Sequence, residues 1–302
     1  MHLRTLPFSL VDVFAREPLS GNGLSVFLLD DDLPIHAMQR ITQEMRQFET
    51  IFVRRAGGTS RFHARIFTME EELSFAGHPI IGAAALLHSE LYSADESAHI
   101  EFAMPDRCIR VTSRRQGTVY FAEMDQGYAV VEPPLSAAKT EVFMRALNLS
   151  VSDLAPGLPL QVISTGLPYL IVPIASNLER ARIVMPALAG LLASVGARFV
   201  YVLDVRCREG RTWDNDGRVE DIATGSAAGP AAAYLVSHKL ASMGERLVLK
   251  QGRFLNRPSE LHATVEGGTT LSVSVSGQVC FVGSGTLRLP NPSLQRTAFG
   301  GR

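Results

Sequence analysis

The chain has no apolar run of the ~18 to 20 residues that a membrane-spanning helix needs, and residues 1–12 lack the charged start and cleavage site of a signal peptide. The expectation is a cytoplasmic protein with no membrane partner. Cysteine is scarce as well. Cys108, Cys207 and Cys280 are odd in number and widely separated, which argues against a disulfide framework and against a zinc spacing, and reads as three buried, inert thiols. Charge of one sign is also missing: 29 Lys and Arg face 30 Asp and Glu, for a formal net charge of −1. With no basic run and no aromatics interleaved with Lys and Arg, nucleic acid is excluded as a partner.

Several catalytic signatures are absent. There is no G-x-x-x-x-G-K-[ST] run for a phosphate loop and no H-E-x-x-H for a zinc protease, and Gly21-Asn22-Gly23 lacks the third glycine and the helix of a dinucleotide fingerprint. Ser226 stands in Thr-Gly-Ser-Ala-Ala, not in a G-x-S-x-G elbow, so hydrolysis by Ser226 starts as the weakest reading. No metal and no cofactor are expected.

What is present is an ordinary globular composition, 46% hydrophobic and 20% charged, in 302 residues, enough for two cores. Two distant segments read as one device: Ser74 to Leu87 and Asp221 to Leu235. In each, a polar residue after a glycine, His78 or Ser226, stands where a loop of small residues enters an apolar, alanine-rich helix. Free backbone N–H groups and the positive end of the helix dipole make such a place an anion site. Two copies suggest a duplicated fold with a cleft between its halves.

Strand patterns at Leu10–Phe14, Leu24–Leu29, Glu49–Arg54 and Phe62–Thr68, with a helix over Ile35–Gln47 that has Met38, Ile41, Thr42 and Met45 on one face, lead to the first device. Three more strands follow its helix, and Val131-Glu132-Pro133-Pro134-Leu135 is the linker candidate, because paired prolines suit neither a helix nor a central strand. A similar cycle then repeats, with strands at Phe199–Val205 and Thr212–Trp213 before the second device. The fold class is therefore α+β, with domains at residues 1–130 and 131–290, each a mixed, curled sheet around its own central helix, and a structureless tail at 291–302.

Glu49 opens a nearly apolar strand. Facing inward it would be poorly hydrated, which suits a group that takes and returns a proton near neutrality; facing outward it is an ordinary strand-end glutamate. His78 is one of several scattered histidines, but Pro79 after it places it at a helix cap. Asp221 can accept a hydrogen bond from a substrate amine or hydroxyl, and Thr224, Gly225 and Ser226 can donate to a carboxylate. The plainer alternative is that Thr224 or Ser226 simply caps the helix, and that the glycines serve tight turns and close packing.

Ser20-Gly21-Asn22, Glu49-Thr50-Ile51-Phe52-Val53, Arg65-Ile66-Phe67-Thr68, Phe75-Ala76-Gly77-His78-Pro79, the run from Glu220 to Ala227 and Gln251-Gly252-Arg253, in this order, resemble the PhzF-like proteins of phenazine biosynthesis, which share the diaminopimelate epimerase fold. The resemblance implies two similar domains, each a barrel-like sheet around a central helix, with the active site between them, and a homodimer. It implies that Glu49 moves a proton without a cofactor, as in the isomerisation of dihydro-hydroxyanthranilate, with His78 and Asp221 as catalytic partners. Asn22, Gly77, Thr224, Gly225 and Ser226 would bind the substrate carboxylate and its surroundings. Ala76 and Thr224 stand where diaminopimelate epimerases and proline racemases carry cysteines, so a two-thiol racemase is not expected.

Three places depart from the family pattern: Gly23 in place of proline, Phe48 in place of serine, and Arg211 to Gly217 in place of a phenylalanine and proline. They leave the proton-moving residues in place and alter the pocket wall. The leading expectation is a cofactor-independent isomerase acting on a small carboxylate-bearing substrate by general acid/base catalysis. The alternative is a non-catalytic small-anion or metabolite-binding protein of the same fold.

Overall fold

Alternation of apolar and polar residues builds most of the sheet: in Ser259–Gly267, Leu261, Ala263 and Val265 are buried while their neighbours are not fully so. The computed structural model describes residues 3–56, 60–105, 107–186, 188–268 and 270–290; the expected tail at 291–302 lies outside the described residues.

The first half contains β1 (Leu3–Val13), β2 (Asn22–Leu29), α1 (Ile35–Met45), β3 (Glu49–Arg55), β4 (Arg61–Phe67), the short β5 (Glu72–Leu73), α2 (Gly77–Leu91), β6 (Ser97–Ala103), β7 (Cys108–Gln116) and β8 (Val119–Pro134). The second contains α3 (Ala137–Ala146), β9 (Gln161–Ser164), β10 (Pro168–Ile174), α4 (Leu188–Ala193), β11 (Phe199–Asp204), β12 (Glu209–Arg211), α5 (Gly225–Ser237), β13 (Leu247–Gln251), β14 (Ser259–Gly267) and β15 (Leu271–Pro290).

The pairings close two rings. One runs β1-β2-β3-β4-β6-β7-β8-β15 and back to β1; the other runs β9-β10-β11-β12-β13-β14-β15-β8 and back to β9. Their parallel pairs fall at matching places, β2–β3 and β4–β6 in one, β10–β11 and β12–β13 in the other. Each of these joins strands separated by a helix, as a parallel connection requires. The protein is thus α+β, two similar barrel-like sheets, each wrapped around a central helix.

Those central helices are α2 and α5, and their sequences explain their position. An apolar stripe places a helix on a surface, but α2 and α5 are apolar all round and are buried all round, from Gly77 to His88 and from Gly225 to Leu235. The helix α1 has the opposite character. Its Met38 and Ile41 pack against Phe27, Phe52 and Phe67 in a cluster separate from the core around α2.

The strand β8 and the last strand β15 belong to both rings, so the sheet passes from one barrel to the other without a break. The expected division at residue 130 falls inside β8. The linker reading of Val131–Leu135 is corrected accordingly: residues 131–134 are the end of that strand. Pro133 and Pro134 fit because they are exposed and follow an irregularity in its pairing with β9, where a missing N–H costs little. Of the three thiols only Cys280 is buried; Cys108 and Cys207 are exposed. The expected strand Thr212–Trp213 lies at Glu209–Arg211 instead.

Candidate active site

The N-termini of α2 and α5 meet head to head. A Cβ on Gly77 would stand 2.9 Å from the carbonyl carbon of Gly225, and one on Gly225 would stand 3.2 Å from the nitrogen of His78. Only glycines permit this approach. The positive ends of two helix dipoles, with their unpaired first-turn N–H groups, are thereby concentrated at one point, which favours negative charge beside them.

Two carboxylates supply it. Glu49 is the first residue of β3 and is 6% exposed; its Oε2 lies 3.0 Å from Nδ1 of His78, the second residue of α2. The contact is electrostatic and not an aligned hydrogen bond, for Oε2 has no hydrogen-bond partner and neither does Nε2 of His78. Asp221 approaches from the other barrel. Its Oδ1 accepts a hydrogen bond of 2.9 Å from Nδ2 of Asn22, and its Oδ2 one of 2.5 Å from Oγ1 of Thr224. Burial pushes Asp221 above the ordinary carboxylate range; the adjacent His78 pulls it down and the Glu49 charge pushes it up.

Asn22 joins the two sides. Its amide nitrogen also donates to the carbonyl of Ala223 at 3.0 Å and lies 3.5 Å from Nδ1 of His78. With two oxygen acceptors on one amide group, nitrogen and not oxygen faces them, which fixes the orientation of the amide.

A cavity of about 410 Å³ lies over these groups, between the barrels. Glu49, Asp221, Thr224 and Ser226 line it; His78 and Asn22 stand behind Glu49 and Asp221, and Gly77 and Gly225 form the junction of the helices. All eight expected residues are therefore brought together. Two local readings need correction. His78 is not the cap, since Ala76 occupies that position. Thr224 does hold the cap position of α5 but makes no side-chain cap bond, because its hydroxyl is given to Asp221.

One residue at the site had no sequence signal, and another stood in the Gln251-Gly252-Arg253 motif with no role assigned to it. Tyr169, in the apolar strand β10, lines the cavity and hydrogen-bonds through its hydroxyl to Oγ of Ser226 at 2.7 Å; burial raises its pKa, so the phenol stays protonated. Gln251 is buried behind the site, donating to the carbonyl of Asp221 at 2.9 Å and accepting from the N–H of Thr224 at 3.2 Å. The departures at Phe48 and at Arg211–Gly217 do reach the cavity wall, through Phe48, Thr212, Trp213 and Asp214. Arg211, bidentate to Glu220 and stacked on Trp213, anchors that wall. Among the described residues no group of three or more His, Cys, Asp or Glu is placed to hold a metal ion, and no helix is long and apolar enough to cross a membrane.

Two barrels around central helices, with a buried carboxylate and imidazole at their junction, give a double-barrel fold shared with solved epimerase-like and PhzF-family structures. The phenazine biosynthesis-like protein family model (PhzC-PhzF) matches residues 11–285, and the chain belongs to that family as a PhzF-type isomerase. It is 32% identical over 297 residues to the trans-2,3-dihydro-3-hydroxyanthranilate isomerase of Pseudomonas chlororaphis, covering 93% of this chain and 99% of that one. Among solved structures, the predicted epimerase from Pseudomonas aeruginosa is 49% identical with a TM-score of 0.87, over 93% of this chain and 99% of that one. A PhzF-family protein of Bacillus anthracis, 22% identical with a TM-score of 0.80 over 94% and 99%, shares the fold.

Proposed function

We propose that this isomerase moves a proton on a small carboxylate-bearing substrate without a cofactor, with Glu49 as the acid and base in the cavity between the barrels. The observation that carries the reading is the buried Oε2 of Glu49, 3.0 Å from Nδ1 of His78, at the meeting point of two helix N-termini. The Glu49 carboxylate removes a proton from one carbon of the bound acid. The electron pair left behind spreads through the adjoining unsaturated system, and the Glu49 carboxyl, its proton exchanging with solvent, returns a proton at another carbon, so nothing is oxidised or reduced.

The remaining residues hold that charge distribution. The N–H groups of Gly77, Gly225 and Ser226, with the Ser226 hydroxyl, receive the substrate carboxylate, Asp221 orients the opposite end, and His78 exchanges charge with Glu49 as the proton moves. General acid–base help is worth ~10²- to 10⁴-fold, so fixed donors and positioning supply most of the acceleration. The compound named in the Pseudomonas relatives, trans-2,3-dihydro-3-hydroxyanthranilate, is the first substrate to try. Glu49→Gln is expected to abolish solvent-deuterium incorporation into a turned-over substrate while leaving its binding intact. Unchanged incorporation removes Glu49 from the mechanism.

A further inference from the structure

The Asn22 amide, which reaches across to Asp221 from the first barrel, sits at the start of β2, directly after the loop that joins it to β1. That loop is gripped from the second barrel. Arg257 donates from Nε to the carbonyl of Gly21 at 2.7 Å, and from Nη2 to the carbonyl of Ser20 at 2.9 Å and to Oδ1 of Asp12 at 2.6 Å. Asp12, only 4% exposed, accepts a further bond at its Oδ2 from the N–H of Leu19, at 2.6 Å. The N–H of Gly21, next to Asn22, is bound by the carbonyl of Pro258 at 3.2 Å.

The same short segment holds the other half of the contact. Gln251, six residues before Arg257, fixes the backbone of Asp221 and Thr224. Between them Gly252 has φ +83°, and a Cβ there would strike the carbonyls of Arg257 and Ile222, so the turn that spaces Gln251 from Arg257 admits no other residue without strain. One end of residues 251–258 therefore sets Asp221 and the other sets Asn22.

We infer that Arg257 is a positioning residue: by clamping residues 19–21 of the first barrel onto the second, it sets the Asn22 amide between Asp221 and His78. The inference rests on the isomerase reading for its catalytic meaning, but its geometry can be read without turnover. Lysine keeps the charge yet cannot span three acceptors from one planar fork, so Arg257→Lys releases the loop while leaving Asp12 a cation.

The test uses the full chain labelled with ¹⁵N-histidine, with His78→Gln to assign the His78 imidazole signals. Asn22→Ala is expected to move those signals, Arg257→Lys to move them in the same direction, and the double variant to match Asn22→Ala alone. Signals unmoved by Asn22→Ala, or unmoved by Arg257→Lys, or moved additively in the double variant overturn the inference. A purely structural Arg257 lowers the melting temperature and leaves the imidazole where it is. If Arg257→Lys does not fold, Asp12→Asn removes the charge from one of the guanidinium's three acceptors and takes away the carboxylate oxygen that binds the N–H of Leu19, weakening the same clamp, and is read by the same three outcomes. Because no substrate enters the experiment, failure of the Glu49→Gln exchange test leaves this result standing, and the reverse holds equally.

Discussion

The α-carbons of Gly77 and Gly225 face each other with no room for a single methyl group on the Gly77 side, where a Cβ would come within 2.9 Å of one backbone atom and 3.1 Å of another. Gly77→Ala is expected to push the two helix starts apart, costing about 1–3 kcal/mol of stability as overpacking does and lowering kcat. Gly225→Ala meets its nearest atom, on the Phe14 ring, at 3.0 Å and is expected to be milder. Denaturant unfolding of both variants checks the order, and equal costs contradict it.

Asp221 contributes a pH dependence of definite sign. Its folded pKa is raised, chiefly by burial, so the folded protein binds the proton more tightly than the unfolded chain. Stability from this group is complete below the ordinary aspartate range and falls as pH rises through the elevated folded value. Asp221→Asn is therefore expected to be less active yet at least as stable as the parent at neutral pH, with the gap closing on acidification. Melting temperatures across pH 3 to 8 measure it, and a gap that widens toward acid refutes the assignment.

Tyr169→Phe removes the partner of the Ser226 hydroxyl and nothing else from the cavity. A neutral hydrogen bond contributes about 0.5–1.5 kcal/mol, so kcat/KM is expected to fall by up to about tenfold with the fold intact. Steady-state kinetics beside a melting curve separate this from a packing defect.

Phe48 lines the cavity wall beside Glu49. Phe48→Ser is expected to weaken binding of ring-bearing acids by about 1–2 kcal/mol through lost apolar contact. The effect should appear in KM and leave kcat nearly unchanged, the pattern of uniform binding loss. A fall confined to kcat would instead tie Phe48 to the chemical step.

The two helix starts were legible in the sequence because small residues, a glycine and a long apolar run together admit few structures. Glu49, His78 and Asp221 were candidates from their positions at those starts and at a strand opening, but the facing of Glu49 was open and their catalytic roles came from the family resemblance. Tyr169 was not legible, since one hydroxyl in an apolar strand carries no periodic signal and its partner lies 57 positions away. Pro133 and Pro134 misled because proline marks a break only where an N–H is needed, and the exposed end of a strand needs none. Thr224 satisfied every local rule for a cap, yet a carboxylate three residues earlier competed for its hydroxyl and won.

Because β15 completes both rings, neither barrel can close until residues 271–290 have been made. The edge of residues 3–13 that faces β15 waits for partners more than 260 positions downstream, so the first barrel stays open through nearly all of synthesis on the ribosome. Such long-range pairing is slow to form and leaves strand edges exposed in the meantime. Cutting the chain between its halves would thus yield two incomplete cylinders, each lacking a stave that the other half carries.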